Sequence, residues 1–480
     1  MGIYTLNIQG IDVDTAVNSI KKQLKNDETI SSTMRASIEL LLVLISVLVN
    51  TVTLNSANSS KPPSSDPNRK KKSKAGASGR KPGGQKGHHG STLKKVDDPD
   101  EVVELKIAPD TLPESRQFHE AGIEARQVID IEINQIITEY RAQVLKDEQG
   151  NRFVAEFPAG VTRPVQYGSN VKANAVYMSH YQMIPYERIT DHFKDQLGLS
   201  ISSGTLFNFN KQAYELLASF EDWAKRKLIS SEVIHADETG INIGSKNHWL
   251  HCASTSWVTL FFPHEKRGKE AMDDMGVLPM FKGILCHDHW KPYFRYSCDH
   301  ALCNAHHLRE LERAHEQDQQ QWALQMKQFL QEANIAVIEA GGKLDDVAIK
   351  QWEQRYRKII DDGNVECPPP ENKRRNGKPG RIKRSKSRNL LERLRDFESE
   401  VLRFMRSSVT PFTNNQGEND IRMTKVHQKV SGCFRSFEGA QFFCRIRSFI
   451  TTAKKHGVSP TTALRLLFQG KMPDFMVDSS

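Results

Sequence analysis

Cysteine is missing from the first half of this 480-residue chain; all seven, Cys252, Cys286, Cys298, Cys303, Cys367, Cys433 and Cys444, lie in the second half. That distribution excludes the even cysteine framework of a small secreted domain and points to a reduced, cytoplasmic compartment. Long apolar runs are missing too. The longest, Ile38 to Leu54, is interrupted by Glu39, Ser46, Asn50 and Thr51, and is too short and too polar for a spanning helix of about 20 apolar residues. No membrane contact is therefore expected. Leu41, Leu44, Leu48 and Val52 recur at helical spacing within it, so a helix that packs on a partner or on itself is the expectation. The start, MGIYTLNIQGIDVDTAV, has no basic segment followed by an apolar core, and no cleavable signal is expected. From Asn55 to Lys95 acids are scarce, Asp66 standing alone among many Lys and Arg. Ser, Pro and Gly dominate there, too little apolar surface to order a core, so the stretch reads as a flexible basic linker. Its Lys70, Lys71, Lys72 and Lys74 form a candidate phosphate clamp, with a merely solvated charge run as the alternative.

What the chain does have is a net charge of +9, which suits a polyanionic partner, and enough length for several domains with real cores. It also has three acids in distinct local settings: Asp237 in SEVIHADETGINI, Asp288 in KGILCHDHWKPYF and Glu418 in PFTNNQGENDIRM. The first two each follow a short apolar run that reads as a buried strand. The third opens a helix. Carboxylates gathered from separate elements without basic partners repel one another by several kcal/mol at low effective dielectric unless divalent cations neutralise them. A two-metal phosphoryl-transfer site meets that description.

The segments NSANSSKPPSSDP, GRKPGGQKGHHG, HADETGI, CNAHHLREL and FTNNQGENDIRMTKVHQKVSGCFRSFEGAQFFCRIRSFITTAKKHG together resemble the DDE transposases of the insertion sequence 66 group. The resemblance covers most of the chain, and its last block is the most specific. It implies that Asp237, Asp288 and Glu418 are catalytic and bind two Mg²⁺, with Mn²⁺ as a substitute. It implies DNA as partner, both the terminal inverted repeats of a mobile element and the target, with cleavage at the element ends followed by joining. A homo-oligomer on DNA, accessory proteins of the same element and a nucleoid-associated place in the cytoplasm belong to the same expectation. Two alternatives stay open: a transposase-derived DNA-binding protein without catalysis, and a metal-dependent nuclease that does not join strands.

The expected fold is α/β, multidomain: a ribonuclease-H-like core carrying a helical insertion, preceded by a helix-turn-helix-type DNA-binding region and an N-terminal helix. The boundaries read as a helical segment at 1–54, the linker at 55–95, the DNA-binding region at 96–230, core at 231–300, insertion at 301–405, core again at 406–456 and a tail at 457–480. Val102 to Ile107 and Val128 to Ile137 look like strands of a small module. The resembled family commonly holds that region with a zinc-binding cysteine pair, and with no cysteine there packing alone must hold it. Ile189, Phe193 and Leu197 form one helical face, Gly198 permits a turn, and Ser202 or Ser203 can cap a second helix. This is a helix-turn-helix candidate, with an ordinary helical hairpin as the alternative and with Asn208 and Lys211 on its polar face.

In the core, Val233 to Asp237 reads as a strand, a turn falls at Glu238–Gly240, and Ile241 to Ile243 starts a second strand that His248 to Ala253 continues or pairs with. Trp257 to Phe262 is a further strand, Lys269 to Phe281 helical, and Ile284 to Asp288 a strand again. The resemblance sets the first and last of these side by side. After Asp288, Cys298, His300, Cys303, His306 and His307 fall at spacings a zinc site could use. The Cys303 and His306 pair is a recurring motif of the resembled family and reads as active-site support, with buried cysteine and surface histidine as the alternative and no structural zinc expected. Leu308 to Met405 is helical, interrupted by the basic CPPPENKRRNGKPGRIKRSKSR. Asn415 is a candidate N-cap that makes Glu418 a capping-box glutamate, yet Arg422, Lys425, Lys429 and Arg435 follow as a basic face beside it. Glu238 and Asp420 are rival ligands, set aside because they fall outside the motif positions.

Overall fold

The computed structural model describes residues 29–53, 68, 93–370 and 384–477, with scattered positions among residues 7–27. Lys70, Lys71, Lys72 and Lys74 of the linker, and most of the basic run after Cys367, lie outside the described residues. The chain divides into two units, Lys70–Tyr140 and the remainder.

In the smaller unit the described residues carry a single short 3₁₀ turn, Pro109–Thr111, and no strand. The strands expected at Val102 to Ile107 and Val128 to Ile137 do not form. Val102, Leu105, Ile107, Val128, Ile131 and Ile136 are all exposed, so the apolar alternation that suggested strands has no sheet face to pack against. The pairing in this part of the chain lies just beyond, in the other unit, as an exposed hairpin of β1 (Val144–Lys146) and β2 (Arg152–Val154).

In the larger unit, α1 (Ser32–Thr53) leaves Leu40, Leu41, Leu44 and Leu48 exposed. Among the described residues no helix is long and apolar enough to cross a membrane. Four helices lead to the sheet: α2 (Ser169–Val176), α3 (Tyr186–Leu197), α4 (Ser203–Leu216) and α5 (Ala218–Ile229). α3 stops at Gly198 in the left-handed region (φ 61°), where a side chain would be strained. The hydroxyl of Ser202 accepts from Thr205 N and caps α4. Ile189 and Phe193 of α3 and Leu206, Phe209 and Ala213 of α4 are buried. They share one hydrophobic core with the sheet and the C-terminal helices.

The sheet has five strands: β3 (Val233–Ile243), β4 (Lys246–Ser254), β5 (Thr259–His264), β6 (Ile284–His287) and β7 (Asp299–Leu302), in spatial order β5-β4-β3-β6-β7. β4 runs antiparallel to its two neighbours, while β3, β6 and β7 are parallel. The turn expected at Glu238–Gly240 is instead the middle of β3. The chain reverses at Gly244–Ser245, both with positive φ (54° and 66°), the two-residue hairpin geometry that matches strand twist. β7 had no forecast; it is four residues long and lies on the far side of β6. α6 (Lys269–Met275) crosses from β5 to β6 and ends at Gly276 (φ 74°), short of the Phe281 expected.

The insertion consists of α7 (Asn304–Asp318), α8 (Gln321–Glu339), α9 (Asp346–Glu366), α10 (Lys386–Asp396) and α11 (Glu398–Arg406), built round Trp322, Phe329, Tyr356 and Leu391. At the edge of the basic run, Arg388 is buried and donates to Glu392, Asn364 and the Cys367 carbonyl, which makes it a clamp between helices. The chain then returns as α12 (Asn415–Ser431), α13 (Phe437–Lys455) and α14 (Pro460–Phe468). α13 lies along edge strand β5: Ser448 Oγ accepts from Phe261 N at 2.8 Å and Thr452 Oγ1 from Thr259 N at 3.1 Å. On the opposite edge Arg403 of α11 donates to the His300 carbonyl of β7 at 2.8 Å.

Candidate active site

Register brings the first two acids together. His235 of β3 pairs with Cys286 of β6, and the same parallel register carried two residues on sets Asp237 opposite Asp288. Asp237 therefore lies at mid-strand in β3, just past the last pair of the ladder with β6, and Asp288 immediately follows β6. His289, with φ 69°, turns the chain immediately afterwards, and Asp288 accepts from Trp290 N at 3.3 Å.

Glu418 arrives from the first turn of α12, and what seats that helix is Asn414 rather than Asn415. Asn414 precedes the helix and is buried; its amide donates to the Ala236 carbonyl at 2.8 Å, its Oδ1 lies 2.8 Å from His235 Nδ1, and its backbone N–H meets Cys303 Sγ at 3.1 Å. These bonds tie the helix start to β3 and to the head of α7. Asn415 is the exposed first helical residue, and the expected capping box does not form. Gly417 lets the two backbones close: a Cβ there would sit 3.3 Å from Asn414 Oδ1 and 3.5 Å from Asp237 Cβ.

The electrostatics follow from that gathering. Partial burial, together with Glu238, Asp288 and Glu418 nearby, pushes the Asp237 carboxyl up to about 8, so without a cation it keeps a proton at neutral pH. Burial is the larger cause, and the neighbouring carboxylates add to it. Lys425, which feels Asp237, spends its amine on the Gly240 carbonyl at 3.2 Å, and burial pulls its pKa down. Arg393 lies near Asp288, yet burial drops it to about 10 and its guanidinium pairs with Glu310.

The two rivals are otherwise engaged. Glu238, its side chain only 1% exposed, pairs with Arg267 at 2.6 Å and accepts from the Tyr293 hydroxyl at 2.6 Å. Arg267 is in turn held between the rings of Trp249 and Trp290, 4.8 and 4.4 Å from their centroids. Asp420 bonds Lys455 at 2.8 Å, Thr259 at 3.1 Å and Gln416 at 2.9 Å.

Cys303 and His306 belong beside Glu418. Cys303 Sγ is 3.9 Å and His306 Nδ1 3.6 Å from Glu418 Oε1, and Arg309 Nη2 is 3.7 Å from the same oxygen. Burial, then Arg309, lowers the His306 pKa. Burial raises that of Cys303, against the backbone N–H groups of Asn414, His306 and Ala305 that point at its sulfur.

A transposase family model, described as "Transposase IS66 family", matches residues 164–442. The chain belongs to that family. The matched stretch holds all three acids, the Cys303 and His306 pair and the whole helical insertion. Residues 13–94 match a second family, of unknown function, DUF6444; that match covers the expected basic linker and α1. No curated protein matches the chain.

The remaining forecast residues among those described lie elsewhere on the larger unit. Asn208 and Lys211 are exposed on α4, with Lys211 3.9 Å from Glu438, and α4 rests on α13 through Phe207 and Tyr214 against Phe442. Arg422, Lys429 and Arg435 are exposed along α12 and its exit. Asn414, Gly417, Arg309, Arg267 and Tyr293 escaped sequence reasoning. Only Asn414 left a trace, in the Asn-Asn pair before Gln416, and the pair was assigned to the wrong member.

Proposed function

We propose that this protein is a DDE transposase that cuts DNA at the ends of its own element and joins those ends to target DNA, on a ribonuclease-H-like core. The observation that carries the reading is the convergence of Asp237, Asp288 and Glu418 from β3, β6 and α12, with Asp237 left short of positive charge. Asp237, Asp288 and Glu418 would hold Mg²⁺, or Mn²⁺ in its place, and ions bound there would activate water or a DNA 3′-hydroxyl and stabilise the leaving oxygen. Asp237 would release its proton to solvent on holding a cation. Asn414 and Gly417 keep the α12 carboxylate at the right depth, and Arg309 steadies Glu418. The exposed Arg422, Lys429 and Arg435 meet the phosphate backbone beside the acids. The pair α3–α4, with Asn208 and Lys211 on its open face, reads the element ends as a helix-turn-helix. Action on two ends at once implies a homo-oligomer on DNA, with accessory proteins of the same element as further partners.

The test uses a DNA carrying both element ends and follows end binding, cleavage and joining separately. Asp288→Asn and Glu418→Gln should each abolish cleavage and joining while end binding survives, and Asp420→Asn, which touches only Lys455, Thr259 and Gln416, should remain active. If Glu418→Gln cuts normally while Asp420→Asn is dead, the third ligand is Asp420. Cleavage without joining by the unaltered protein would instead make it a nuclease.

A further inference from the structure

The family reading uses Glu418 as an oxygen ligand for Mg²⁺, but its immediate neighbours suit a different ion. Cys303 Sγ, a ring nitrogen of His306 and a Glu418 carboxylate oxygen all lie within 4.8 Å of one another. The two edges to Glu418 Oε1, 3.9 Å from sulfur and 3.6 Å from nitrogen, compare with the roughly 3.3–3.5 Å edges of a tetrahedron built on Zn–S of about 2.3 Å and Zn–N or Zn–O of about 2.0 Å. Those two edges need to shorten by only a few tenths of an ångström. His306 Nδ1 is buried without a hydrogen-bond partner. Cys303 stands immediately before α7 and His306 in that helix's first turn, so one short backbone segment presents both ligands rigidly.

We propose that Cys303, His306 and Glu418 form a three-ligand Zn²⁺ site that withdraws Glu418 from the carboxylate cluster and so opposes loading of that cluster. Thiolate and imidazole favour Zn²⁺ over Mg²⁺, which takes oxygen ligands. On binding, the Cys303 thiol releases its proton to solvent, and thiolate plus carboxylate balance the 2+ charge around a neutral imidazole. Arg309, the counter-ion of Glu418 without metal and partly exposed, turns outward. The second half of the proposal, antagonism at the cluster, rests on the function proposed above; the first half does not.

The experiment takes the full-length reduced protein, free of metal, and titrates it with Co²⁺ as a spectroscopic stand-in for Zn²⁺. A thiolate-to-Co²⁺ charge-transfer band together with tetrahedral ligand-field absorption is expected, displaced by Zn²⁺. Cys303→Ser should lose the band, and His306→Gln should weaken binding by at least about 10-fold, since even supporting groups of metal ligands change affinity by 10–100-fold. Loading of the carboxylate cluster is followed by the electron paramagnetic resonance of bound Mn²⁺. Zn²⁺ should displace Mn²⁺ from the unaltered protein and leave it in place in Cys303→Ser. No charge-transfer band, or a band that survives in Cys303→Ser, overturns the site. A band with undisturbed Mn²⁺ overturns the antagonism. Neither readout needs DNA cleavage, so failure of the protein to cut DNA would refute the transposase reading while these results still decide the zinc site.

Discussion

Replacing Asp237 by Asn should make the metal-free protein more stable, and increasingly so as the pH rises. The folded carboxyl sits at about 8 against its ordinary 3.8, through burial first and then the charges of Glu238, Asp288 and Glu418. Between about pH 4 and pH 8 the folded protein therefore holds a proton that the unfolded chain has released. Stability must then fall as pH rises through that window, by up to about 1.36 kcal/mol per unit. At pH 7 the full penalty would be about 4 kcal/mol; relaxation of a partly solvated site reduces this, and we expect a gain of about 1–2 kcal/mol for Asp237→Asn, on the scale of a large single-site effect. Below about pH 3 the gain should vanish, because both states of the unaltered protein are then protonated. The assay is urea unfolding of both proteins across this range in the presence of a chelator, repeated with saturating Mg²⁺. With Mg²⁺ the order should narrow or reverse, since only the unaltered site gains binding free energy. A difference that does not change with pH, or a variant less stable throughout, would refute the claim that burial and neighbouring carboxylates hold a proton on Asp237.

Three further outcomes are expected. Gly417→Ala should fold, yet lower cleavage by about 10-fold or more, because its Cβ would push on Asn414 and Asp237 and small misplacements of reacting groups are expensive in rate; unchanged cleavage would show that the close approach is unimportant. Arg267→Ala should destabilise the fold by about 1–3 kcal/mol by leaving Glu238 buried without its cation, and Glu238→Gln should recover much of that loss in the double variant, as read by chemical unfolding; additive losses would deny the coupling. Changing Lys70, Lys71, Lys72 and Lys74 together to Ala should flatten the salt dependence of DNA binding by about 0.9 logarithmic units per lost phosphate contact, whereas an unaltered slope would make the linker a tether.

The start of β3 and the whole of β6 were readable because each is a short apolar run leading to an acid, and the α3–α4 turn because Gly198 and Ser202 have few other uses. What stayed hidden depends on partners far away in the chain. Glu238 and Asp237 are adjacent acids in one strand, and nothing local says that the first will meet Arg267 and Tyr293 while the second meets Asp288. Alternation along β3 decides it. The false turn at Glu238–Gly240 arose because Thr-Gly looks like a chain reversal, whereas Gly240 in fact lets β3 run on under Lys425 and Gln428, which both donate to its carbonyl. The apolar runs between Val102 and Ile137 misled in the opposite sense. They have strand-like residues, but no packed face among the described residues rewards pairing.

The two covered margins of the sheet limit how copies of this protein can meet. On β5 the side-chain oxygens of Ser448 and Thr452 occupy donors that an incoming strand would need, and on β7 the Arg403 guanidinium occupies an acceptor. Exposed strand edges recruit other chains and seed aggregation; here that route is blunted on both sides. Any partner that meets this sheet must do so through the helices and side chains along its margins, a kind of contact that can be made and released without unzipping the strands beside Asp237 and Asp288.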